Sequence, residues 1–174
     1  MSFLATSIYQ FQHYKELAEK AMLQISDTDF LKSADDANNS LVVLIKHLHG
    51  NMLSRFTNFL AEDGEKVWRQ RDNEFEYEVL DRKSVMMLWE EGWVCVLDNI
   101  RSLMEEDLRR TIFIRSEPME AGDAILRQLM HYAYHVGQII WYCKGIAGEN
   151  WKTLSIPKGE SKAYNDEMKE AKRE

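Results

Sequence analysis

The 174-residue chain is predicted to be all-α, a four-helix bundle with long connections, on three observations. Both prolines, Pro118 and Pro157, come late, so nothing earlier in the chain forbids helix. Four segments repeat apolar residues at helical spacing, each over roughly twenty residues. The stretches between them are long enough to cross a bundle. A hydrophobic content of 45% is enough to fill one core. We place that bundle over residues 1–154 and leave 155–174 as a partly frayed tail.

The first helix is expected over residues 3–26, with Leu4, Ile8, Phe11, Ala18, Met22 and Ile25 recurring between Lys and Glu. SDTDF, a cluster of turn formers, should end it. The second follows DDANNS, where Asn38, Asn39 or Ser40 can cap it, and its stripe of Leu41, Ile45, Leu48, Met52, Phe56 and Phe59 carries it to about Leu60. Residues 64–80 lose the period and read as an ordered connection over the bundle.

A third helix is predicted from Asp81 or Ser84 to Leu108 through Leu88, Val96, Leu97, Ile100 and Met104. TIFIRSEPME then reads as extended, because β-branched residues precede a proline that disfavours helix at Glu117. The fourth helix spans about Ala121 to Ile146. In the tail, Ile156 and Tyr164 are the candidates to strap the chain back onto the bundle. Gly50, Gly92 and Gly137 interrupt the last three helices, each at about 1 kcal/mol relative to alanine, so close backbone approach or room for a site is expected there.

The charge is acidic: 29 Asp plus Glu against 22 Lys plus Arg gives a net −7. Nothing in that balance offers a cationic footprint for nucleic acid. No window approaches an uncharged apolar span of membrane length, and the start lacks a basic segment followed by a long apolar one. A cytoplasmic protein with no membrane contact is expected. Cys95 and Cys143, in apolar helical segments, read as reduced core thiols.

HYAYHVGQ places His131 and His135 four residues apart, which on a helix puts both rings on one face. On a helical wheel they share a stripe with Gln138 and Tyr142, while Leu129, Ala133, Val136 and Ile140 lie opposite. This helix is therefore expected to be buried nearly all round, and a homodimer follows as the cover for its second apolar face. Buried imidazoles must be hydrogen-bonded or metallated, and spacing alone does not choose between the two.

A third ligand is offered by IKHLHGN on the second helix, where His47 and His49 flank the apolar stripe from opposite sides. Only one of them can readily face the fourth-helix pair; spacing does not say which. Three neutral imidazoles at about 2.0–2.1 Å suit a divalent ion such as zinc or nickel and leave a coordination position free. The metalloprotease pattern H-E-x-x-H is excluded, because no Glu lies between His131 and His135. In RQRDNEFE, Arg71, Asp72 and Glu74 form a loop able to supply a base or a substrate clamp, set against a reading in which its charges simply pair with one another. Gln138 and Tyr142 are candidates to hydrogen-bond a ligand ring, and His13 sits among polar neighbours and is expected in solvent.

The motifs KHL at His47 and HYAYHVGQ on the fourth helix, with the segments KHLHGNMLSRF, EDGEKVWRQRDNEFE, RQLMHYAYHVGQIIWYCK and LSIPKG, resemble the DinB-like (DinB/YfiT-like) superfamily of four-helix metalloproteins, in an uncharacterised branch. The resemblance spans nearly the whole chain. Carried over residue by residue, it makes His47, His131 and His135 the metal ligands and His49 a neighbour. It implies a bundle, often dimeric, that binds nickel or zinc. It also implies relatives that transfer low-molecular-weight thiols, such as bacillithiol or mycothiol, to small electrophiles, or isomerise thiol adducts. The founding member's name refers to induction by DNA damage and implies no DNA contact.

Two functions follow as expectations. One is a metal-dependent enzyme of thiol S-transferase or hydrolase type, since a Lewis-acidic ion makes a thiol or water nucleophilic at neutral pH. The other is a non-catalytic dimer in which metal or buried histidines only stabilise the bundle.

Overall fold

The computed structural model describes residues 2–32, 39–76, 78 and 80–171. Six α-helices and one β-hairpin make up its regular structure: α1 Phe3–Met22, α2 Asp27–Phe30, α3 Leu41–Phe56, α4 Arg82–Arg101, β1 Thr111–Ile114, β2 Glu117–Glu120, α5 Ala121–Ala147 and α6 Ser161–Glu170. Short 3₁₀ turns at Arg71–Phe75, Glu105–Arg109 and Gly148–Asn150 fill the connections. The four long helices close a ring, as the sequence predicts: α1 lies along α5, α3 along α4, and the two pairs meet through α1 against α4 and α3 against α5. At the centre Phe11, Trp93 and Tyr132 pack ring on ring, with centroids 5.8–6.3 Å apart. Trp89 is also core.

The helices α1 to α4 each start where a polar side chain accepts an orphan amide of the first turn. Ser2 accepts from Ala5 N for α1, Ser40 from Val43 N for α3 and Asp81 from Ser84 N for α4. Ser40 is thus the cap among the candidates of DDANNS; Asn38 lies outside the described residues. Three helices stop earlier than their apolar periods suggest. At SDTDF the Ser26 hydroxyl accepts from Asp29 N and starts α2 as a separate turn, so α1 ends at Met22. Thr57 is extended and Asn58 has φ 51°, which ends α3 at Phe56. α4 ends at Arg101, and Met104 points into solvent instead of continuing its buried stripe.

The loop after α3 is clamped to the helix end that precedes it. Ser54 Oγ donates to Gly64 O at 2.7 Å and accepts from Lys66 N, and Arg55 Nη1 donates to the same carbonyl. The extended stretch is a tight hairpin, pairing Thr111 with Glu120 and Ile114 with Glu117. Its two turn residues, Arg115 and Ser116, have φ of 57° and 63°, the left-handed pair that a two-residue turn demands. Neither is glycine, and the Asp63 carboxylate holds them there by accepting both amide protons, at 2.9 and 2.7 Å.

The expectation that the fourth helix is buried nearly all round is overturned. One face of α5 enters the core through Ile125, Tyr132, Val136, Ile139 and Cys143, but Leu126, Met130, Tyr134 and Trp141 form an exposed stripe opposite, with Trp141 80% exposed. No charge marks that face in the sequence, so on a helical wheel it cannot be told from a buried one. Ile156 and Tyr164 are exposed and do not strap the tail, and every residue of α6 is exposed. Among the described residues no helix is long and apolar enough to cross a membrane.

Candidate metal centre

Three imidazoles meet between α3 and α5. His47 comes from the middle of α3, and His131 and His135 from successive turns of α5. One potential ligand nitrogen from each lies within 4.8 Å of the others. The ring centroids are 4.7–5.6 Å apart, and the Nε2 atoms of His131 and His135 are 3.0 Å apart. Three nitrogens around a tetrahedral ion at about 2.05 Å would be roughly 3.3–3.4 Å from one another, so the His131 and His135 nitrogens need to part by a few tenths of an ångström to share an ion.

The rings are oriented from behind. His47 Nδ1 donates to Glu74 Oε2 at 2.9 Å, which leaves its Nε2 lone pair to face the α5 pair. His135 Nδ1 pairs with Gln138 Oε1 at 2.7 Å, an acceptor that places the ring proton on Nδ1 and leaves Nε2 bare. Gln138 is itself held by its Nε2, which donates to Tyr134 Oη at 3.1 Å. Carboxylate and amide partners of this kind fix the tautomer and aim of metal-ligating histidines.

Glu74 is anchored in turn. Arg69 donates to it through Nε at 2.8 Å and Nη2 at 3.0 Å, a two-pronged pair nearly sealed from solvent. Burial alone would raise this carboxyl, but the hydrogen bonds from His47 and Arg69 outweigh it and hold the group below the usual carboxylate range. The helix must make room for this carboxylate: a Cβ at Gly50 would overlap Glu74 Oε1. Gly92 has a different cause, since a Cβ there would come within 2.8 Å of Met52 Sδ where α4 crosses α3. Gly137 faces open space and neither reason applies to it.

Electrostatics favour neutral rings. Burial, then the neighbouring His135 and His47, and Arg55 and Arg69 beyond them, push His131 down to about 3. Burial and His47 also lower His135, against the hydrogen bond it donates to Gln138. Lone pairs are therefore available at neutral pH, which is what a cation requires.

The structure separates the candidates the sequence left open. His47 faces the pair, whereas His49 turns to α4 and pairs with Glu91 at 3.0 Å. Glu74 is committed to Arg69 and His47 and so serves as a ring-orienting group in place of the free base the sequence allowed; Arg71 and Asp72 are exposed. Gln138 takes the hydrogen-bonding role foreseen for it, while the Tyr142 hydroxyl is used up on Asp29 O at 2.8 Å. His13 is exposed. Burial raises both thiols, Cys143 to about 11, which agrees with packed, unreactive cysteines.

Sequence reasoning missed Arg69, Arg55 and Arg127. A signal was present: His47, Asn51 and Arg55 on α3, and Arg127, His131 and His135 on α5, are two runs at four-residue spacing. All of these except His135 line one cavity of about 270 Å³ that opens beside His47 and His131.

No curated protein and no solved structure matches this chain. Residues 1–160 match a family described as "Protein of unknown function (DUF1572)". With nearly its full length accounted for in this way, the chain belongs to the DUF1572 family.

Proposed function

We propose that His47, His131 and His135 bind a divalent metal ion, zinc or nickel, and that the protein is a metal-dependent enzyme of thiol-transferase or hydrolase type within the DinB-like superfamily. The observation that carries this reading is the convergence of three imidazoles, two of them oriented from behind by Glu74 and Gln138. All three donors are imidazole nitrogens, a set that suits borderline ions such as zinc and nickel. The Glu74 carboxylate sits on the Nδ1 side of His47 and is not placed as a fourth ligand. A site with three protein donors and an adjacent cavity fits chemistry better than a purely structural ion.

Bound there, the ion supplies Lewis acidity to a thiol or a water. The chain's own contribution is to aim the rings, to keep His131 and His135 neutral, and to keep Glu74 charged behind His47. The exposed stripe on α5 adds a proposal of self-association. It carries no charge across Leu126, Met130, Tyr134 and Trp141, so two copies of a chain of net −7 can meet there without direct like-charge contact.

Elemental analysis of purified wild type beside the His47→Ala, His131→Ala, His135→Ala and His49→Ala variants tests the metal. About one ion per chain is expected in the wild type and in His49→Ala, and a loss in the other three. Equal metal content in all five proteins would refute the site.

A further inference from the structure

Half of the arginines in the chain line one cavity. The protein has ten, and Arg55, Arg69, Arg71, Arg115 and Arg127 all face the same space of about 270 Å³. They reach it from α3, the following loop, the 3₁₀ turn, the hairpin turn and α5, so the cluster is a product of the fold rather than a basic run in the sequence. In an acidic protein, guanidinium groups gathered from five places repel one another unless something negative sits among them.

The nearby carboxylates do not balance them. Glu65 pairs with Arg55 and Arg115, each at 3.0 Å, and Glu74 pairs with Arg69. Arg71 and Arg127 have no ion pair among the described residues; Arg71 lies over the Phe75 ring at 5.1 Å. With Asp63, which accepts from the Arg115 amide and whose charge also reaches Arg55, three carboxylates against five guanidiniums leave a surplus of two positive charges. Arg55 and Arg69 are buried at the inner side, while Arg71, Arg115 and Arg127 are exposed at the rim.

A second feature points to a ligand. Gln128, only 3% exposed, lines the same cavity, and its Oε1 is buried without a hydrogen-bond partner among the described residues. An orphaned buried amide oxygen is costly, and a bound molecule with a hydroxyl or amine would satisfy it.

Helix geometry gives the distance to the histidines. Arg127 precedes His131 by four residues and Arg55 follows His47 by eight, which at 1.5 Å per residue is about 6 and 12 Å along the two helices. His47 and His131 themselves form part of the cavity wall.

We propose that this cavity binds a small molecule carrying two or more phosphate or carboxylate groups, seated on the arginines and hydrogen-bonded to Gln128, with its reactive end directed at His47 and His131. The placement of the reactive end rests on the metal reading above; the anion seat does not. Planar guanidinium forks suit both acid groups, and a volume of about 270 Å³ fits a small molecule.

The test is calorimetric titration of the chelator-treated full-length protein with pyrophosphate and, separately, with propane-1,2,3-tricarboxylate. Saturable binding of at least one probe at a single site is expected, and which probe binds tells phosphate from carboxylate. The Arg71→Gln/Arg127→Gln variant should weaken it tenfold or more, while Arg101→Gln, outside the cavity, should leave it unchanged. No saturable binding of either probe by a folded wild type, or equal binding by the double variant, overturns the proposal. In the cobalt-loaded protein the visible spectrum should change when the bound probe is added, and an unchanged spectrum overturns the placement next to the metal. A protein that takes up no cobalt speaks against the metal reading alone, because the anion titration is run without metal.

Discussion

His47 donates through Nδ1 to Glu74 Oε2 at 2.9 Å, across 27 residues of sequence, and Arg69 clamps the same carboxylate from its other side. One ring of the histidine cluster is thereby held by a charge that is itself held. Replacing Glu74 with Gln removes the charge and one acceptor oxygen. Metal affinity is expected to fall about 10–100-fold, the usual cost of losing such a partner. Competition against a chromophoric chelator measures it, and wild-type affinity in Glu74→Gln would show that the contact does not govern the site.

On the proposed site, metal should stabilise the fold, because the three histidines come from two helices that separate on unfolding. At a hundredfold excess over Kd, binding to the folded state alone adds about 2.7 kcal/mol. For a chain of this size that is roughly 5–10 °C in Tm. Differential scanning fluorimetry with zinc and then excess chelator should raise and restore Tm in the wild type, and give no shift in His131→Ala.

Asp63 should shape the acid side of the stability curve. Its carboxyl is held low chiefly by the Glu65 amide, with the Ser116 and Arg115 amides adding to this against desolvation. A depressed folded value means that the contribution is present above the ordinary Asp range, near 3.9, and lost as pH falls through the folded value. Thermal unfolding between pH 6 and 3 should therefore show a shallower acid-side decline in Asp63→Asn than in the wild type. Identical slopes would assign no linkage to this carboxylate.

Trp141 is the most exposed of the large apolar side chains on α5. If two copies meet there, Trp141→Lys places like charges across the contact and should turn a dimer into a monomer by light scattering, with helix content unchanged. A wild type that already runs as a monomer ends the proposal.

Much of this architecture was legible in one dimension. Helical periods located all four bundle helices, because each must bury an apolar stripe and the stripe repeats with the turn. The pairing of His131 with His135 was legible for the same reason: four residues on one helix is a local distance. Helix ends were less so, since Thr57, Asn58 and the Ser26 cap act through single dihedrals and hydrogen bonds that leave no periodic trace. The exposed face of α5 was misread because apolar composition does not say which neighbour is present.

What the sequence by itself determined is the set of amphipathic rods and the histidine pair that one of them carries. Only the tertiary structure decided that His47 rather than His49 joins that pair, that Glu74 and Arg69 stand behind it, and that five arginines from separate elements share one cavity. The physical reason is range. Periodicity encodes neighbours within a helix turn, whereas which face of α3 meets α5, and where the connecting loop lays its charges, depends on how the rods rotate against one another when the core closes.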